Sequence, residues 1–212
     1  MYSEMIIKSI RPRTVGDGID IILSEKSDGR ELKLSLPDSA YLEWHTRIGS
    51  PVSEGELDEL RSDAEFFAAK RKGEELLEFG DMTRAMLVRK LRQKGFPAPA
   101  AERAAKHLSD TGEINEERFA RTALRYYLEK KHLGRSRIES EMYGKGFGRD
   151  TVERMLEEVP EEAFVAACRT QIERLFGGEL PEEPGEYRKA MAALYRRGFN
   201  RQIITAAVES SL

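Results

Sequence analysis

The sequence predicts a mainly α-helical protein: three tandem three-helix repeats in an elongated array, preceded by a small N-terminal antiparallel β unit. Three observations carry this. Short alternating runs between turn signals fill the first sixty residues, the apolar period changes to 3.6 from about Ser62, and a helix ending in cation-glycine-phenylalanine recurs three times.

The β unit comes first. Val15-Gly16-Asp17-Gly18 and Ser27-Asp28-Gly29 are turn signals that separate Met5–Ile10, Ile19–Ser24 and Glu31–Leu36. In the last run Leu32, Leu34 and Leu36 alternate with Lys33 and Ser35, the pattern of a half-buried strand. So small a sheet is marginal alone, and it is expected to lean on the amphipathic piece Ser39–Thr46 with Tyr41 and Trp44. Gly49-Ser50-Pro51 breaks the chain, and Ser53 with Glu56 reads as a capping box opening a helix.

The repeats follow at residues 62–113, 114–160 and 161–212. Their signature segments are Arg84 to Lys94-Gly95-Phe96, Arg135 to Lys145-Gly146-Phe147, and Tyr187 to Arg197-Gly198-Phe199. The glycines stand 51 and 52 residues apart. Leu87/Leu91, Ile138/Met142 and Ala190/Leu194 fall on one helix face and should pack inward. Lys94, Lys145 and Arg197 meet the negative end of the helix dipole. Each glycine then suits the left-handed residue after a helix, with the phenylalanine folded back over the last turn. A second helix is expected to bury Ala101, Ala104 and Ala105; Val152, Met155 and Leu156; and Ile204, Ala207 and Val208. Longer helices, Ser62–Phe79, Glu116–Lys131 and Glu161–Phe176, precede each pair, and Asn115 is the expected N-cap of the middle one. Units this small bury their faces by stacking, which leaves a long surface in place of a pocket.

Composition narrows the function. No apolar run approaches the roughly 20 residues of a spanning helix, and mean hydropathy is −0.57, so no membrane is expected. Met1–Ile10 carries Glu4 and no long apolar core, unlike a signal peptide, which predicts a cytoplasmic protein. The single cysteine, Cys168, sits in an apolar run and reads as a buried small hydrophobe. His45, His107 and His132 lie far apart without metal-ligand spacing, and Gly16-Asp17-Gly18 is not followed by the Gly-Lys-Ser/Thr of a phosphate loop. The expectation is a monomeric non-enzyme without metal or cofactor.

Charge points to a partner. Residues 1–60, 61–156 and 157–212 carry nets of −5, +5 and −3, so the middle of the chain is basic. Arg84–Lys94 holds Arg84, Arg89, Lys90 and Lys94 and no acid at all. On the helix Glu116–Lys131, Phe119, Ala120, Ala123, Leu124 and Tyr127 make the apolar face, with Arg118, Arg121 and Arg125 opposite. Lys130, Lys131, Arg135, Arg137 and Lys145 continue the positive surface, suited to phosphates or carboxylates. Glu117 is spaced to pair with Arg121. Tyr126 and Tyr143 read as packing residues.

Glu117-Arg118-Phe119-Ala120, Arg125, Gly134-x3-Ile138-x6-Lys145-Gly146, Lys90-Leu91-x2-Lys94-Gly95-Phe96 and Leu194-Tyr195-x-Arg197-Gly198-Phe199 together resemble the RecX family of bacterial recombination regulators. The resemblance covers about residues 62–212, with Met142 in place of a usual leucine. It implies a protein that binds RecA recombinase filaments on single-stranded DNA, touches single- or double-stranded DNA non-specifically, and modulates, most often inhibits, RecA ATPase, strand exchange and co-protease activity. The competing reading is a sequence-specific DNA-binding regulator built from helix-turn-helix units. The acidic residues of second helices such as Thr151–Glu158 oppose it, because they would repel the DNA backbone.

Overall fold

Turn chemistry and alternation build the sheet where the sequence places it. In a computed structural model, which describes residues 5–14, 16–39 and 47–209, strands β1 (Met5–Pro12), β2 (Ile19–Glu25), β3 (Glu31–Leu36) and β4 (Pro51–Val52) form one antiparallel sheet in the order β3-β2-β1-β4. Leu23 lies between Ile7 and Leu32, and Ile21 opposite Leu34. One face buries Met5, Ile7, Ile19, Ile21, Leu23, Leu34, Leu36 and Val52. The amphipathic piece with Tyr41 and Trp44 falls, like His45, outside the described residues. Leu57, Leu60 and Ala64 of helix α1 (Glu54–Glu78) pack on the sheet's apolar cluster.

That helix overrides the boundary expected between residues 60 and 62. Ser53 and Glu56 close the capping box as expected, and nothing in the next 25 residues stops the helix. It therefore starts eight residues before Ser62 and belongs to both the sheet's core and the next one. Its far half packs Ala69 with Leu87 and Leu91 of α2 (Arg84–Gln93) and with Ala100, Ala101, Ala104, Ala105 and Leu108 of α3 (Ala98–Asp110). The alanines, weak as a hydrophobic signal, let the backbones approach closely. At Gly73 of α1 a Cβ would stand 2.6 Å from a Leu108 methyl.

The chain forms two compact units, one of the residues up to Gly80 plus Leu87–Ile114, the other of Asp81–Met86 and Asn115 onward. In the second unit α4 (Glu116–Arg125) runs into a π-helical turn (Tyr126–Lys130), followed by α5 (Arg135–Gly144), α6 (Arg149–Glu157), α7 (Glu161–Phe176), α8 (Pro184–Arg196) and α9 (Arg201–Glu209). The second and third repeats share one core that includes Ala120, Tyr127, Ile138, Met142, Leu156, Phe164, Cys168, Ile172, Leu194 and Ile204. Cys168 is fully buried, and burial pushes its thiol up to about 12. In α9 the buried residues are Ile203, Ile204 and Ala207, and the expected Val208 is exposed.

All three glycine turns form as predicted. Gly95, Gly146 and Gly198 have φ of +93°, +82° and +92°. In each, the phenylalanine N–H donates to the carbonyl five residues back (Leu91, Met142, Leu194) and the glycine N–H to the one three back, the double bond of a Schellman motif. Within the second unit these turns also receive another helix. Thr83 Oγ1 donates to the Lys145 carbonyl (2.7 Å), beside Gly146. In the same register Gly134 N–H donates to Arg197 O (2.8 Å), and Ser136 donates from its N–H and hydroxyl to Gly198 O (3.3 and 3.2 Å). Orphan donors at one helix start thus meet orphan acceptors at another helix end.

Candidate partner-binding surface

Asn115 caps α4 as expected, its Oδ1 accepting from Arg118 N–H at 2.9 Å. With Ala120, Ala123 and Tyr127 buried, Arg118, Arg121 and Arg125 are exposed opposite. They are not an uncompensated stripe. Arg118 reaches Asp81 at 2.5 Å, which raises the guanidinium pKa. Arg121 bonds Glu117 at 2.9 Å and stands 3.7 Å from Glu158. Arg154 of α6 clamps Glu117 with two bonds, 2.7 and 3.2 Å. Arg154 first, then Arg121, holds the Glu117 carboxyl below its ordinary 4.5. Glu117 comes from the same helix, whereas Asp81, Arg154 and Glu158 arrive from other segments. Arg125 alone of the three has no ion-pair partner among the described residues.

The end of this helix carries what periodicity missed. Across the π turn, Lys131 N–H donates to Tyr126 O (3.1 Å) and Leu133 N–H to Tyr127 O (3.0 Å). His132 then takes φ of +51°, the sole positive φ outside glycine among the described residues, and Gln171 Nε2 pins the turn by donating to Lys131 O (2.9 Å). Burial, then the charges of Arg174 and Lys130, lowers the His132 pKa. Tyr127 turns inward and Tyr126 outward, 47% exposed. Tyr126, expected to pack, does so on one side only, its ring 5.6 Å edge-on from the Tyr127 ring, and Tyr143, also expected to pack, is exposed with its hydroxyl donating to Glu139.

Beside this turn lies a cleft of about 610 Å³, whose lining includes Tyr126, Lys131, Arg137, Glu141, Arg196 and Arg197. Arg137 is held by Glu141 at 2.6 Å. Lys131, Arg196 and Arg197 have no ion-pair partner among the described residues, and the Lys131 ammonium stands 5.5 Å from the Tyr126 ring centre. Of the residues expected to bind, Lys131 and Arg137 meet here. Arg196 and Arg197 were not among them, although a tandem arginine at the end of α8 was the available signal.

The remaining expected residues are dispersed. Arg89, Lys90 and Lys94 belong to the first unit, on α2 and its glycine turn. In the second unit Arg84 is exposed while its N–H donates to the Glu116 carboxylate (2.7 Å), and Lys130 is exposed on the π turn. The Arg135 guanidinium donates to Leu156 O (3.0 Å), and the Lys145 ammonium lies 5.9 Å from the Phe119 ring centre. Among the described residues no group of three or more His, Cys, Asp or Glu could hold a metal, and no helix is long and apolar enough to cross a membrane.

Comparison with known proteins identifies close company for this arrangement. Residues 161–208 match the family model described as RecX, third three-helix domain. The chain is similar to Regulatory protein RecX of Pseudomonas entomophila (strain L48), 30% identical over 137 residues, spanning 65% of this chain and 87% of that one. It is also similar to Regulatory protein RecX of Pseudomonas syringae pv. tomato, 31% identical over the same shares. Among solved structures, one described as the crystal structure of regulatory protein RecX has a TM-score of 0.75 at 17% identity, covering 97% of this chain and 99% of that one. RecX from Lactobacillus salivarius has a TM-score of 0.60 at 19% identity, over 69% and 96%.

Proposed function

The chain belongs to the RecX family of regulatory proteins, and from that premise we propose that it binds RecA filaments on single-stranded DNA and inhibits their ATP hydrolysis, strand exchange and co-protease activity. It acts by binding and not by catalysis, lying along the filament through its basic helical surface. The observation that carries this reading is the set of cations without a carboxylate partner among the described residues of the second unit, Arg125 and Lys130 together with Lys131, Arg196 and Arg197 of the cleft. Such charge steers association with a polyanionic target over about a Debye length.

The test is RecA ATPase on single-stranded DNA with and without the full chain, across salt. Inhibition that weakens as salt rises is expected, because bound counterions are released when cations meet phosphates. Full ATPase at saturating protein would refute the proposal, and inhibition indifferent to salt would move the interface to an apolar face. The reading as a sequence-specific DNA regulator gains no support from α6, whose Asp150, Glu153 and Glu157 set negative charge along the helix.

A further inference from the structure

The second repeat satisfies the face formed by α5 and α6 with its own side chains. Arg135 donates to Leu156 O, Glu139 accepts from the Tyr143 hydroxyl, and Glu153 holds Arg149 at 2.7 Å. At the positions of Arg135, Glu139 and Glu153, each 52 residues on, the third repeat has Tyr187, Met191 and Thr205. The three charges are lost, and Val208 is 38% exposed where its counterpart Leu156 is 1% exposed. Between α8 and α9 a cleft of about 550 Å³ remains, with Tyr187, Met191, Ile204 and Val208 in its lining. An apolar concavity rimmed by charge marks a surface that meets another molecule.

The charges of α9 indicate which one. Arg201 and Glu209 are the first and last residues of this helix and Thr205 lies midway, all three on the cleft. Neither charge has an ion-pair partner among the described residues, Arg201 lacking the carboxylate that Glu153 gives Arg149. Both also oppose the helix dipole, a cation standing at its positive end and an acid at its negative end. A second α9 laid antiparallel reverses every one of these costs. It brings Glu209 and a negative helix end to Arg201, and Arg201 with a positive helix end to Glu209. A parallel copy would set like charges together, and a purely acidic or purely basic peptide would answer one end only. Self-complementarity of this kind, in which residue i meets j while j meets i, is the mark of a twofold interface.

We propose that the chain forms a twofold dimer in which this cleft closes on a second copy, in place of the monomer expected from the sequence. The two α9 helices run antiparallel about an axis at Thr205, whose small side chain lets them approach. Tyr187 and Val208 of each copy are covered by the other.

The test is sedimentation velocity of the full chain over a concentration series. Wild type should pass from monomer to dimer as concentration rises, and should do so less readily at high salt. R201E and E209R alone each set like charges opposite one another at two symmetric points, and each should raise the dissociation constant about tenfold. Mixing R201E with E209R should restore wild-type association as a heterodimer, because every acid then faces a cation. Both substitutions suit the dipole of α9, so neither loses assembly by unfolding the helix. V208D, at an exposed position, should abolish the dimer by placing an unpaired carboxylate in the closed cleft. A wild type that stays monomeric throughout the series overturns the proposal, as does a dimer indifferent to the single reversals or a mixture no tighter than its parts.

Discussion

The glycine turn of the first repeat and those of the second and third share sequence, φ and hydrogen bonds, yet only the latter two are crowded. A Cβ at Gly95 would meet nothing within 4 Å. At Gly146 it would lie 2.7 Å from the Ala85 Cβ, and at Gly198 2.3 Å from Arg137 N. One local motif thus has two uses: it stops a helix in every repeat, and within the second unit it also admits the start of another helix. The left-handed backbone explains glycine at all three positions. Close approach adds a second requirement at two of them.

The comparison breaks most readily at Gly198. G198A combines left-handed strain of about 1–2 kcal/mol with a backbone collision that needs helix movement, about 1–3 kcal/mol more. Chemical denaturation should show the second unit losing about 2–5 kcal/mol. G134A isolates the collision, because Gly134 has an ordinary φ of −79° while its Cβ would lie 2.3 Å from the Gly198 carbonyl. It should cost about 1–3 kcal/mol. G95A isolates the strain and should cost about 1–2 kcal/mol. A G95A loss equal to that of G198A would mean that the junction adds nothing.

Cys168 offers an independent readout of the same contrast. Its buried thiol, pushed up to about 12, should react with a thiol reagent only when the second unit opens. Labelling should accelerate in G198A by more than tenfold, since each 1.4 kcal/mol of lost stability raises the open population tenfold, and stay near the wild-type rate in G95A. Equal acceleration in both would mean that the turns are energetically equivalent.

The smallest effect concerns Glu117. Its carboxyl is held below 4.5 by Arg154 and Arg121, so its contribution is complete above the unfolded value and fades as pH falls through the lower, folded one. In E117Q the unfolding temperature should fall less steeply between about pH 5 and pH 3 than in wild type. An identical acid limb would show that exposed pairs here are fully screened.

Much of this was legible in the residues. The three Schellman turns, the Asn115 cap and the capping box at Ser53 depend on short-range chemistry, and each formed where its residue pattern stood, while Cys168 is buried as its apolar run predicts. The start of α1 was misplaced because Ser62 marks where the apolar period becomes visible, while Ser53 marks where the backbone turns helical. The binding residues were least legible. Arg118 looks free on its own helix because its partner Asp81 lies 37 residues away in sequence, and the pair of Arg121 with Glu117 is legible locally while Glu158 and the competing Arg154 are not.

The amino-acid order by itself determined where helices start and stop, which faces are apolar, and that one unit recurs at 51–52 residues, since these follow from backbone sterics, capping and period. Only the tertiary structure decided which cations keep their charge unanswered, which glycines must be small as well as left-handed, and that Lys131, Arg137, Arg196 and Arg197 share one cleft. Those outcomes depend on what arrives from distant segments, and electrostatics and packing act through space and not along the chain.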